Sequence, residues 1–523
     1  MGTNKNRDFG HEDAALAAES TLASIVVNRG ITTFLSTNNK RYLVGPKGSG
    51  KSLLLLKKAI DQRAEGDAIC IPSDSASPVD RLTSAQHVGQ QFHHSVSEDS
   101  EVNLAWASVW KHSIYRSVFH HIYNDILKRI SSSSGEKSES YMREYEKTQI
   151  AQTQSLAEKF LKISLGPAKG PYYYFVEVCN KLDAGRHQYL AKLREEIQEL
   201  EELLQLSRPS IFVFLDNLDD YYEKQPELWF NSMYGQFRAV REIGLTHRHI
   251  HVFTTIRQDV YQQFADEMRL QYYDYVSFLR YSPEELSKIF ELRVNDLDDD
   301  LLAEPAKRQE NPWRAFFGES DVIENGVIGV KEHVRDYTTR HTLHRPRDLV
   351  HMGTVLLDRR SANGFTDEVV KASIKEASLD VAEQYLAEVR PLLDQRFDIA
   401  HFINTHVTSN VLDLFDVKQI TEDYALSFDD PDVIDEPSDL NRPFETLIAI
   451  GLIGYAEQRP NSEEFYQHFN PPGQGLAEPE ARFLPEASMF FLHPILTNFL
   501  KPGSICTDYL VGRNQPIPEG ESA

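Results

Sequence analysis

One octapeptide limits this chain more than any other feature: Gly45-Pro46-Lys47-Gly48-Ser49-Gly50-Lys51-Ser52. It stands directly after the apolar run Arg41-Tyr42-Leu43-Val44 and opens a helical stretch from Ser52 to Ile60. Strand, glycine-rich turn and helix is the setting in which such a loop can wrap a phosphate. Glycines let successive backbone N–H groups turn inward around an anion, and the helix that follows offers its positive end. Lys51 is then placed to reach between β- and γ-phosphates, and the Ser52 hydroxyl to ligate Mg²⁺. The spacing therefore predicts ATP and Mg²⁺ at Gly45–Ser52.

A loop of this kind needs a sheet beneath it. Ala68-Ile69-Cys70-Ile71 reads as a second strand, closed by Pro72. Ile211-Phe212-Val213-Phe214-Leu215 and His251-Val252-Phe253-Thr254-Thr255 are stronger, and Tyr275-Val276-Ser277-Phe278-Leu279 is a fifth candidate. Apolar runs without alternation predict parallel strands covered by helices on both faces. Beyond the fifth, Ser282 is expected to cap a helix, with Pro283 at its first position and Glu285 three residues past the cap.

The residues that close these runs carry the candidate chemistry. Asp216 follows the third strand and is predicted to hold the magnesium ion, directly or through water. Asp219 and Asp220 are two further carboxylates that could orient an attacking water. Thr254 or Thr255 is expected to sense the γ-phosphate by a hydroxyl hydrogen bond. Arg257 and, further on, Arg347 of Arg345-Pro346-Arg347-Asp348-Leu349 are candidates to meet the charge of the transferred phosphoryl group. Asp296, Asp298, Asp299 and Asp300 lack the glycine and terminal glutamate of a calcium loop. The pairs His93-His94 and His120-His121 carry no ligand spacing for a metal.

With 523 residues and 41% hydrophobic composition, the chain can build about two to four domains with true cores. The expected architecture is α/β: a parallel P-loop NTPase sheet with a long helical insertion, a helical lid and a C-terminal helical or winged-helix region. A helical segment occupies 1–40, around Ala14 to Phe34. The ATPase core spans 41–290 with an insertion at 72–210. The lid covers 291–390, with helix from Arg347 to about Val389. A connector and acidic linker follow at 391–440, where Asp429, Asp430, Asp432, Asp435, Glu436 and Asp439 read as an exposed tether. The winged-helix-like region and tail fill 441–523, opening on a helix at ETLIAIGLIGYA and including a strand-like Phe490 to His493.

Inside the insertion, Trp106, Trp110, Tyr115 and Phe119 mark an aromatic-rich helix. Between His187 and Leu206, apolar residues at Leu190, Leu193, Ile197, Leu200 and Leu204 mark another. The second reads either as a hairpin projecting toward a partner or as a helix packed on the core. Three cysteines in no metal spacing, and an N-terminus without the apolar core of a signal peptide, lead to the expectation of a reducing, cytoplasmic setting without membrane contact. The net charge of −24 repels a phosphate backbone over long range, so nucleic acid is not indicated, although a basic wing could still touch DNA.

In order along the chain, YLVGPKGSGKS, FVFLDNLDD, VFTTIRQD, YVSFLRYSPEEL and RPRDL resemble the AAA+/STAND-type P-loop ATPases related to origin-recognition ATPases, particularly those of bacterial and archaeal antiviral conflict systems. More faintly, GLIGYA and FFLHPILTNFL are similar to their winged-helix region. The resemblance implies five parallel strands, a helical lid and assembly through nucleotide sites near subunit boundaries. It implies that Lys51 and Ser52 serve phosphate and magnesium, that Asp216 is the first acidic residue, that Thr254 or Thr255 is sensor 1 and that Arg347 is sensor-2-like. Asn217 stands where the usual AAA+ pair has glutamate, which points away from fast constitutive turnover and toward a slow switch. Three readings follow: an ATP-dependent switch that oligomerises and regulates a separate effector, a DNA-engaging regulator, and a non-hydrolysing ATP-bound scaffold.

Overall fold

The computed structural model describes residues 9, 29–64, 68–72, 85–86, 99–132, 168–205, 210–216, 226–264, 266–324, 331–360, 364–428, 438–458, 465–472, 482–506 and 513–514. Five strands form a wholly parallel sheet: β1 (Tyr42–Gly45), β2 (Ile69–Ile71), β3 (Ile211–Leu215), β4 (Ile250–Arg257) and β5 (Val276–Phe278). Their order across the sheet is β2-β3-β4-β1-β5. The first strand is thus flanked by the last two, and the direction of winding reverses beside it. In an open α/β sheet, ligands gather at such a switch point, outside the carboxyl ends of the strands.

Alternate side chains of each strand enter two different cores, as the two-residue period of a strand requires. Tyr42, Val44, Ile211, Val213, Leu215, Val252 and Ile256 belong to one, with Leu43, Phe212, Phe214 and Phe253 in the other. The first core is closed by three helices, α3 (Asp99–Ser132), α4 (Pro171–Gln205) and α5 (Pro226–Thr246). In α3 the residues Trp106, Trp110, Tyr115 and Phe119 are all buried, and in α4 so are Leu193, Ile197, Leu200 and Leu204. The inserted helices are therefore packed on the sheet and on one another. His120 is buried too, its ring bonded to the Tyr174 hydroxyl at 2.7 Å.

The opposite face carries α1 (Arg29–Ser36) and α2 (Lys51–Ala64). One side chain fastens these helices together. Lys58 of α2 is fully buried and its ammonium donates to the carbonyls of Phe34, Leu35 and Thr37 at 2.7, 3.1 and 3.0 Å. A cation there satisfies the orphan carbonyls at the C-terminal end of α1 and complements its dipole. It also lies 4.5 Å from the centroid of the Phe253 ring.

After β5, α6 (Pro283–Asp296) begins with the full capping box at Ser282 and Glu285. The helices α7 (Pro312–Phe317), α8 (Pro346–Arg359) and α9 (Asp367–Val389) extend the same core, and β6 (Val322–Glu324) pairs with β7 (Lys331–His333). Among the described residues no helix is long and apolar enough to cross a membrane.

The carboxyl-terminal part departs from the sequence reading in three places. Helix α12 (Pro443–Ala449) ends where the sequence suggested it would continue, because Gly451 takes a φ of +78° and the chain then extends into β9 (Ile453–Gln458). Around it stand α10 (Ile399–His406), β8 (Val411–Asp413), α11 (Leu414–Leu426), β10 (Phe465–His468), β11 (Met489–Leu492) and β12 (Arg513–Asn514), the strands ordered β12-β10-β9-β11-β8. Strand β8 lies before residue 441 and β11 after it, yet the two pair antiparallel, so one sheet spans that position. Asp439 is no part of an exposed tether. It is buried and ion-paired to Arg482, and it accepts from the Thr446 hydroxyl at 2.9 Å and the Asp394 amide at 2.7 Å. Arg482 and Asp394 come from distant segments that local composition does not reveal. Residues 429–437 lie outside the described residues.

Candidate functional site at the carboxyl edge of the parallel sheet

The Gly45–Ser52 loop leaves β1 at the centre of this edge. Gly48 and Gly50 have φ of +78° and +86°, values that any side chain would strain. The loop's carbonyls are turned onto protein donors. Lys51, at the first position of α2, is 6% exposed and its ammonium donates to Gly45 and Pro46 at 3.1 and 3.0 Å. Pro46 also accepts from the Ser49 hydroxyl at 2.8 Å, and Gly50 from the Leu54 amide at 3.1 Å. The Gly48 carbonyl accepts from the Arg347 amide at 3.2 Å. The Ser49 carbonyl accepts from the Tyr281 hydroxyl at 2.9 Å. In a trans peptide the N–H points opposite to the carbonyl before it. Turning the Ser49 carbonyl toward Tyr281 therefore turns the Gly50 N–H the other way, the arrangement that lets a backbone bind anions. Ser52 follows as the second residue of α2, half-buried.

Asp216 stands just past β3, and its Oδ1 accepts from the Thr255 hydroxyl at 2.7 Å. Thr254 and Thr255, left open as alternatives by the sequence, point to opposite faces. The Thr254 hydroxyl is buried and donates to the Gln236 Oε1 of α5 at 3.2 Å. Only Thr255 reaches the acidic residue. Asp219 and Asp220 lie outside the described residues.

The two candidate arginines have different surroundings. Arg347, the second residue of α8, lies directly over the loop: a Cβ added to Gly48 would come 2.9 Å from its Cβ and 3.0 Å from its Cδ. Arg257 is instead 3% exposed and pairs both ends of its guanidinium with Asp259, Nε to Oδ1 at 3.0 Å and Nη2 to Oδ2 at 2.6 Å. Its neighbour in space is the last turn of α9, where Glu388 contributes a carbonyl at 3.5 Å.

Three groups that the sequence reading passed over shape this edge. Arg345 is buried between Asp348, at 3.0 Å, and Glu388, at 2.9 Å. Burial alone would lower its pKa, but the two carboxylates outweigh that and hold it above the ordinary arginine value. This ion cluster ties the start of α8, and with it Arg347, to the end of α9. Tyr281 is the second group. Burial pushes its hydroxyl well above the usual tyrosine range, so it remains a donor to the loop. Tyr172 is the third, its hydroxyl donating to the Asp216 carbonyl at 2.5 Å. Tyr281 stands immediately before the Ser282 capping box and Arg345 opens the RPRDL stretch, whereas Tyr172 carries no sequence signal. Among the described residues no cluster of three or more His, Cys, Asp or Glu side chains has the arrangement to hold a metal ion.

Neither a protein-family model nor a curated protein matches the chain significantly.

Proposed function

We propose that this chain is an ATP–Mg²⁺-dependent molecular switch on a P-loop NTPase sheet, oligomerising and regulating a separate effector, as the resemblance to antiviral conflict-system ATPases implies. The observation that carries the reading is the Gly45–Ser52 loop. Its carbonyls are drawn onto protein donors, Gly48 and Gly50 occupy left-handed conformations, and the Lys51 side chain is buried beneath it. Such a loop fits a polyphosphate.

Lys51 would exchange its carbonyl contacts for phosphate oxygens, and α2 would direct its N-terminus at them. Ser52 and Asp216 would hold Mg²⁺, which would supply positive charge to offset that of the phosphates. Thr255 fixes one oxygen of Asp216. Arg347 joins the loop to α8, so the position of the lid depends on what the loop holds. Arg257, committed to Asp259, serves the frame of this edge.

The test is phosphate release and light scattering across an ATP titration, for wild type and Asp216→Asn. The switch predicts nucleotide-dependent assembly and magnesium-dependent turnover that the substitution lowers by about 10–100-fold. Assembly with ATP but without phosphate release would instead identify a scaffold, and wild-type turnover in the variant would remove Asp216 from the site.

A second reading has its own observation. Among the described residues from α10 to β11, the order is helix, strand, helix, helix and then antiparallel strands, with β8 and β9 on either side of β11. That order supports a winged-helix module and, with it, a DNA-engaging regulator. DNA affinity that falls steeply with salt in the presence of ATP would favour it.

A further inference from the structure

Asp216 lies one residue beyond the last rung between β3 and β4, where Leu215 pairs with Thr254. It is tethered from two sides. The Thr255 hydroxyl, from the neighbouring strand, holds its carboxylate, and the Tyr172 hydroxyl, from the inserted helix α4, holds its main-chain carbonyl. One tether sets the side-chain rotamer and the other sets the peptide plane from which the side chain departs.

Tyr172 is the second residue of α4 and is 3% exposed. Its ring meets Trp110 of α3 edge to face, with centroids 5.4 Å apart at 83°. Trp110 in turn stacks on Phe175 at 4.3 Å and donates its indole N–H to the Ser232 carbonyl of α5 at 2.9 Å. The ring is thus fixed by three helices, and phenylalanine would fill the same space. What tyrosine adds is a part-buried hydroxyl, which is costly unless bonded. That hydroxyl goes to Asp216.

We propose that Tyr172 is a positioning residue for the Asp216 carboxylate, which makes the helical insertion a working part of the hydrolytic site. This rests on the nucleotide-site reading above. Groups that orient a metal-binding residue without touching the metal affect metal affinity or activity by about 10–100-fold when removed.

The experiment measures ATP turnover against Mg²⁺ concentration for the full chain as wild type, Tyr172→Phe, Trp110→Phe and Asp216→Asn, with thermal melting of each. In Tyr172→Phe we expect kcat about tenfold lower and a higher half-saturating Mg²⁺ concentration, with the KM for ATP within about twofold of wild type. Trp110→Phe loosens the same packing but keeps the tyrosine hydroxyl, so its magnesium dependence should stay that of the wild type. Wild-type rate and magnesium dependence in Tyr172→Phe, with Asp216→Asn impaired, would overturn the role of Tyr172 and leave the site standing. A slower Tyr172→Phe with unchanged magnesium dependence and a lowered melting temperature would make the residue structural and overturn it equally. Undiminished turnover in Asp216→Asn would instead overturn the site reading itself.

Discussion

Gly45 and Arg257 sit side by side in the sheet, in register at the carboxyl ends of β1 and β4, and the chain beyond each behaves in opposite ways. After Gly45 the backbone does the work: carbonyls are engaged by Lys51, Tyr281 and the Arg347 amide, and the amide side of the Ser49–Gly50 peptide is turned the other way. After Arg257 the side chains do the work: the buried guanidinium pairs with Asp259 through Nε and Nη2. Adjacent strand ends in one sheet can therefore differ, one leading into a loop whose backbone is held by protein donors and the other pairing charge within the fold. Position after a strand, which the two share, does not decide which arrangement falls where. The partner does.

The largest effect that tests this division belongs to Arg257→Ala. Removing one member of a buried pair leaves Asp259 unpaired and should destabilise the chain by about 3–5 kcal/mol in denaturant unfolding. At temperatures where the variant stays folded, its ATP affinity should remain near that of the wild type. A well-folded Arg257→Ala that no longer binds ATP would erase the contrast between the two edges. Lys51→Ala should do the reverse, melting almost as wild type while losing about 2–5 kcal/mol of ATP affinity by calorimetry. Unchanged affinity there would dismiss the loop as a phosphate site.

Gly48→Ala combines a left-handed residue with a contact against Arg347, so we expect about 1–2 kcal/mol of strain. It should also displace α8 from the loop, visible as faster amide exchange at the start of that helix. Normal exchange and affinity would mean that the loop and α8 are not coupled. Smallest is Tyr281→Phe, which deletes one hydrogen bond worth about 1 kcal/mol. The loss should appear as a few-fold weaker ATP binding with an unaltered fold, and a purely thermal effect would place Tyr281 on the structural side of the comparison.

The sequence was readable where structure is local or unbroken. The run Ile211–Leu215 is a strand because both faces are apolar, and the strand has the same bounds in the fold. Ser282 and Glu285 cap a helix through contacts only three residues apart, and they do so here. A strand of three residues such as β8 carries no period of its own and exists through β11, a partner far along the chain. Asp439 was misread for a similar reason: six acidic residues in one stretch look solvated until Arg482 is brought to one of them. At the candidate site, Gly45–Ser52 and Asp216 could be read from residue type and position. The separation of Thr254 from Thr255 could not, since it depends on which face of β4 meets α5. Nor could Tyr172, whose acceptor is a main-chain carbonyl and therefore leaves no mark in any side chain at position 216.

Lys58 gives the amino-terminal helix an unexpected status. Lys51 and Ser52 occupy the first turn of α2, and Lys58, two turns along, grips the end of α1 through three carbonyls. To release α1, a buried ammonium would have to surrender all three acceptors together. The two helices should therefore open as one cooperative unit, with their slowest amide protons exchanging at a common free energy. A ligand that quietens α2 would then slow exchange in Arg29–Ser36 as well, so that α1 reports on a candidate site to which it contributes no proposed ligand.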